Sequence, residues 1–198
     1  DDAHSDTKVW LPVSGYVAAD MADSTAKNFA WSAPAGFNRG LLTNVLDLAI
    51  APTQKQRDLL YKVNVNPIAF FPGDGYVIFG QKTLFSKPSA FDRVNVRRLF
   101  LTLERAVQKT LKYYVFEPNT EFTRTRVKNS ITPILDLAKN TQGLYDYQVV
   151  VDGRNNTPDV IDRNELAVDI YIKPVRTAEF ILVNFIATRT NQSFEELI

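Results

Sequence analysis

Between Phe91 and Val115 the chain reads FDRVNVRRLFLTLERAVQKTLKYYV, and this stretch limits the available folds more than any other. Val96, Leu99, Phe100, Leu103, Val107, Leu111 and Tyr114 recur at spacings of three and four, the period of a helix with one face turned to a core. A long amphipathic helix is therefore predicted from about Asp92 to Val115, with Pro118 ending it. A second helix is predicted over Thr120–Asn140, with Val127, Ile131, Ile134, Leu135 and Ala138 inward. Pro133 should kink it by removing a backbone donor, and Gly143 should close it. Three strands are expected next. Tyr145–Asp152 is the first; Leu166–Lys173 alternates, with Leu166, Val168, Ile170 and Ile172 on one face. Phe180–Thr188 is apolar on both faces, as a covered central strand would be.

Upstream, Ile68–Phe71 and Tyr76–Leu84 read as strands joined by the hairpin signal Pro72-Gly73-Asp74-Gly75. Thr53–Val63 reads as a short helix capped by Thr53, with Leu59, Leu60 and Val63 on its apolar side. Residues 1–50 read as a connector or part of an adjoining domain. They include a helical stretch Tyr16–Ala22 capped by Ser14, a break at Ala33-Pro34-Ala35-Gly36, and a strand over Leu41–Ala51 bounded by Pro52. Residues 51–198 form the main domain, with a C-terminal arm from about residue 190. Strands, then two helices, then strands give an α+β fold, a mixed or antiparallel sheet packed against two long helices. The opening Asp1-Asp2-Ala3-His4, without methionine, suggests a processed chain or a fragment.

Catalytic chemistry finds little to use. The single histidine, His4, adjoins the chain start and reads as a frayed surface residue, and there is no cysteine. Thiol nucleophiles, thiolate metal sites and disulfides are thereby excluded, and no cofactor or metal is expected. Among carboxylates, Glu195-Glu196 lies near the C-terminus and Asp162 and Glu165 in an expected loop; nothing places two around one cleft. Gly73-Asp74-Gly75 lacks the Lys-Ser/Thr of a phosphate loop and precedes a strand. No apolar run reaches the roughly 20 residues needed to cross a bilayer.

The basic residues are more informative. Arg98, Arg105, Lys109 and Lys112 share a narrow stripe on the first long helix; on the second, Lys128 and Lys139 share a face with Glu121 and Thr132. Such stripes serve as solvated faces, as surfaces for an oppositely charged protein, or as phosphate tracks. With 23 basic against 22 acidic residues, a protein partner is favoured over nucleic acid.

Several segments, in order, resemble the C-terminal part of contractile phage tail sheath proteins of the T-even-like group. They are PVSGYVAADMADS (Pro12–Ser24), SAPAGFNRG (Ser32–Gly40), QRDLLYKVNVNPI (Gln56–Ile68), GDGYVIFGQKT (Gly73–Thr83), FDRVNVRRLF (Phe91–Phe100), NNTPDVIDRNE (Asn155–Glu165) and NFIATRTNQSFEEL (Asn184–Leu197). The resemblance implies a structural, non-enzymatic virion protein, assembled in the host cytoplasm as hexameric rings stacked around a tail tube. Contraction of the stack would drive the tube through the host envelope. Residues 51–198 would then be the inner, tube-proximal domain, and arms of neighbouring subunits would complete its sheet. Expected partners are further copies of the chain, the tail tube protein, and baseplate and tail terminator proteins, with neither nucleic acid nor membrane insertion.

Within that frame, Arg124, Lys128 and Lys139 are the expected tube contacts. Phe180, Leu182, Phe194 and Leu197 are the expected apolar residues of inter-subunit strand addition. The alternatives are a sheath of a related injection device (a tailocin or secretion system) and, of another class, a small carboxylate-dependent α+β enzyme.

Overall fold

The computed structural model describes residues 9–43, 45–85 and 87–183. Its centre is the predicted helix pair, α3 (Val94–Leu111) and α4 (Glu121–Asn140). α3 buries Val96, Leu99, Leu103 and Val107; α4 buries Val127, Ile131, Leu135 and Ala138, all four without solvent exposure. Leu111, Tyr114 and Ile134 pack partly buried against the same cluster. Short 3-10 turns flank α3, at Ala90–Asp92 and Lys112–Tyr114. Ser89 opens the first, its hydroxyl accepting from the Phe91 N–H at 2.9 Å. Thr120 caps α4, accepting from the Thr123 N–H at 3.4 Å, and α4 carries Pro133 within its single span.

The end of α4 differs from expectation. Gln142, not Gly143, takes the left-handed backbone (φ 61°), and the Gly143 N–H returns to Ala138 O at 2.7 Å. Gly143 is needed for space instead: a Cβ there would stand 2.9 Å from Trp31 Cδ1 and 3.0 Å from Ala138 O. Trp31 in turn donates from Nε1 to Thr141 O at 3.2 Å, stitching the N-terminal part onto the helix end.

Over α4 lies a sheet of two antiparallel strands, β4 (Leu144–Val150) and β5 (Asp169–Pro174). Tyr147 stands opposite Ile172 and Val149 opposite Ile170, with a register shift between Leu144 and Asp146. The Tyr147 hydroxyl donates to Asp136 of α4, which raises the phenol to about 12. The third expected strand is not formed in the described part. Phe180–Val183 pairs with no described strand and is exposed, and residues 184–188 lie outside the described residues. An apolar run on both faces signals burial by something, and the described residues do not supply that cover.

The N-terminal part holds a three-stranded sheet of order β1-β3-β2, built from β1 (Leu41–Leu42), β2 (Ile68–Phe71) and β3 (Gly75–Ile78). The predicted hairpin forms with Gly73 at φ 94° and Gly75 at φ 101°, conformations that favour glycine. β3 is shorter than Tyr76–Leu84, however, and of the strand predicted over Leu41–Ala51 only β1 forms among the described residues. α1 spans Ser14–Lys27; because Val13 already has near-helical backbone (φ −69°, ψ −17°), Val13 is the N-cap and Ser14 is the first helical residue. α2 (Gln54–Lys62) has the full capping box, with Gln56 reaching back to the Thr53 N–H at 2.8 Å. Its apolar residues Leu59 and Val63 remain exposed. The segment expected as a loop around Asp162 instead contains a short helix, α5 (Pro158–Asp162), opened by its proline.

Candidate assembly surface

A two-stranded sheet cannot roof two long helices. β4 lies against α4, and the far side of β5 pairs with no described strand. Between the core-facing side of β5 and the helices is a groove of about 250 Å³. Its floor is α3 (Phe100, Leu103, Val107) with Leu135 of α4, and its wall is Ile170 and Ile172 of β5. Glu104 and Gln108 stand on the groove's rim. A free strand edge beside an apolar floor offers main-chain pairing and side-chain burial to one extended segment.

The segment after β5 supplies two of the expected strand-addition residues. Phe180 and Leu182 are 78% and 91% exposed, in extended chain without a described partner. Phe194 and Leu197 lie outside the described residues.

The expected tube contacts line one flank of α4, each in a different setting. Lys139 lies beside β4, its ammonium 2.9 Å from Asp146 Oδ1 and 5.9 Å from the Tyr147 ring. The hydrogen bond from Lys139, followed by the Tyr147 N–H, holds the Asp146 carboxyl below the usual carboxylate range. Lys128 is exposed. It lies toward Asp152, whose carboxyl is lowered to about 2 chiefly by hydrogen bonds from the Arg154 side chain and N–H, with Lys128 a lesser cause. Arg124 is half-buried, and its Nε is enclosed without a hydrogen-bond partner. On α3, Arg98 does not face outward as the stripe suggested. Its guanidinium packs on α1, donating to Met21 O at 3.2 Å and to Thr25 Oγ1.

Sequence reasoning missed a polar cluster at the far end of α3. Arg93, its N-cap residue, grips Glu179 with Nε at 2.5 Å and Nη2 at 2.9 Å, and the Tyr61 hydroxyl donates to the same carboxylate at 2.6 Å. Burial, then the bond to Glu179, pushes the Tyr61 phenol well up, and the same carboxylate raises Arg93. Beside them, the buried Gln81 donates from Nε2 to Thr177 Oγ1. These partners lie 86 to 118 residues apart in sequence, so no local pattern links them. The only sequence trace is the alternation of Val175, Thr177 and Glu179 after β5.

Among the described residues no group of three or more His, Cys, Asp or Glu side chains could hold a metal ion, and no helix is long and apolar enough to cross a membrane.

Two family models together account for most of the chain. The phage tail sheath protein central domain matches residues 3–84, and the phage tail sheath C-terminal domain matches residues 86–188. The chain belongs to the phage tail sheath family. It is 44% identical over 196 residues to the tail sheath protein of Enterobacteria phage T4, covering 99% of this chain and 30% of that protein. With the tail sheath protein of Vibrio phage KVP40 it shares 43% identity over 197 residues, covering 100% of this chain and 29% of the relative. The chain thus spans less than a third of these relatives' length. Among solved structures, the sheath complex of an extracellular contractile injection system (PVC) in its contracted state superposes with a TM-score of 0.85 at 28% identity, over 96% of this chain and 53% of that one. The contracted helical sheath of the anti-feeding prophage gives 0.83 at 29% identity, over 91% and 52%. The sheath fold therefore accounts for the mixed helix and antiparallel sheet architecture as a whole. The boundary between the two family regions falls at the turn into α3, where the Tyr61–Glu179–Arg93 cluster bridges them.

Proposed function

We propose that the chain is the inner portion of a contractile tail sheath subunit, a structural and non-enzymatic part of a phage virion. Copies assemble in the host cytoplasm as hexameric rings stacked around the tail tube, and the stack contracts to drive the tube through the host envelope. The observation that carries this reading is the unfinished sheet: a β5 edge with no partner among the described residues, beside a groove between β5 and α3 that the half-buried Phe100, Ile170 and Ile172 line. A segment from a neighbouring subunit, carrying Phe180 and Leu182 and further on Phe194 and Leu197, completes that sheet. Main-chain pairing of this kind keeps subunits joined while their bodies rotate, as a contracting lattice requires. The cations Arg124, Lys128 and Lys139 form the releasable contact with the tube, since exposed charge pairs hold weakly and yield when geometry changes. Baseplate and tail terminator proteins bind the two ends of the stack.

A phage tail is preferred over a related injection device because identity to the phage sheath proteins, 44% and 43%, exceeds the 28% and 29% to the injection-device sheaths. The test is negative-stain electron microscopy of the full-length protein, alone and with tube. Hollow striated tubes are expected; compact particles under both conditions would refute the reading.

A further inference from the structure

The segment leaving β5 does not become free at the strand's end. From Val175 to Glu179 it alternates between inward and exposed residues, and each inward residue is held. The Val175 N–H donates to Gly143 O at 3.1 Å, Thr177 accepts from the buried Gln81, and Glu179 is gripped by Arg93 and Tyr61. The alternation stops there: Phe180, Ile181, Leu182 and Val183 are all exposed.

The grip on Glu179 is built for retention. The Arg93 guanidinium presents two N–H groups to the two carboxylate oxygens, a planar fork that fixes direction as well as distance. Both side chains are largely withdrawn from solvent, at 25% and 17% exposure, so salt screens the pair less than an open surface pair. Behind it, Lys82 bridges to Arg93 through the backbone, donates to Tyr61 O at 2.6 Å, and sits 4.0 Å from the centre of the Tyr61 ring. Tyr61, Gln81 and Lys82 lie in the region matched by the central-domain model, whereas Arg93, Thr177 and Glu179 lie in that matched by the C-terminal-domain model.

We propose that Glu179 is the fixed root of the C-terminal segment and that the segment's freedom to swing begins at Phe180. The inference rests on the reading that this segment joins a neighbouring subunit. Tension applied beyond Phe180 then enters the subunit at Glu179 and passes to α2 and the start of α3, at the seam between the two family regions. It does not reach the end of β5, where a pull along the chain would peel the β4–β5 ladder bond by bond. The clamp therefore lets a subunit be drawn by its neighbour without losing its own sheet.

No cysteine occurs among these 198 residues, so spin-label pairs can be placed in them by substitution. One pair joins Asp58→Cys on α2 to Ala178→Cys and another joins Asp58→Cys to Leu182→Cys; all three positions are exposed. Pulsed-dipolar distance distributions are measured on the unassembled full chain. The expected result is a narrow distribution to position 178 and a broad one to position 182. Glu179→Ala should abolish the narrow distribution, and Tyr61→Phe, which removes one hydrogen bond and no charge, should broaden it less. Equal widths at 178 and 182 in the parent chain, or a narrow distribution at 178 that survives Glu179→Ala, would overturn the proposal. If Glu179→Ala unfolds the chain, the comparison of 178 with 182 in the parent chain and the Tyr61→Phe result still decide it. Repeating the measurement in assembled sheath separates the two ideas. A distribution at 182 that stays broad there refutes strand addition, and loss of the narrow distribution at 178 refutes the root.

Discussion

Truncating Ile172 should weaken assembly more than its effect on folding explains. Ile172 lies on β5 opposite Tyr147, half-buried against the core, with its remaining surface lining the groove beside α3. Full burial of such a side chain is worth about 1.5–3 kcal/mol, and roughly half of that is already realised in the isolated subunit. Ile172→Ala should therefore lower the unfolding free energy by about 1–2 kcal/mol, less than the roughly 2–5 kcal/mol of a fully enclosed position. The other half, about 1 kcal/mol, is gained only when an incoming strand roofs the groove, and its loss should raise the critical concentration for assembly about fivefold. Ile131→Ala is the control: Ile131 is fully enclosed between the helices and the sheet and does not line the groove. It should cost more stability while leaving the critical concentration of the folded fraction unchanged. Urea denaturation gives the first quantity and pelleting across a concentration series the second. If Ile172→Ala shifts stability but not critical concentration, the groove stays unroofed in the sheath and the completed-sheet argument fails.

Other substitutions probe separate joints. Gly143→Ala forces a methyl against the Trp31 ring and Ala138 O and should cost about 1–3 kcal/mol, seen as a lower melting temperature. Its neighbour behaves oppositely: Gln142→Gly relieves a left-handed side-chain residue at the helix end and should add roughly 0.5–1 kcal/mol in the same assay. Charge reversal at both Lys128 and Lys139 should abolish co-sedimentation with tubes while sparing the fold by circular dichroism; unchanged co-sedimentation would rule out their role as tube contacts. Asp152 titrates at about 2 in the folded chain against about 3.9 unfolded, so the folded state binds fewer protons between those values. Its stabilising contribution is complete above the unfolded value and is lost as pH falls toward the folded one. Asp152→Asn should accordingly flatten the acid limb of the stability curve between about pH 4 and 2.

What could be read in one dimension was whatever a single element decides for itself. The apolar stripe of α3, the Thr53 cap and the glycine hairpin each depend on neighbours within a few residues, and each formed as expected. Failures came where the deciding partner was distant. Ser14 looked like a cap because serine favours that role, but Val13 had already turned helical. Arg98 looked solvent-facing by helical phase until α1 packed over it. Phe180–Val183 is the most instructive case, since its residues are those of a covered strand and yet it lies open beyond the Glu179 clamp. Hydrophobic patterning records how much cover a segment expects, not which molecule supplies it. Among the described residues there is an uncovered strand-like segment at one place and an unpaired strand edge at another. Glu179, held by Tyr61 of α2 and by Arg93 at the start of α3, fixes where the exposed segment begins, and the groove is lined by other residues of α3 with α4 and β5. On the proposed reading, donation to a neighbour would satisfy both the segment and the edge without releasing that clamp, making the two gaps halves of one repeating contact.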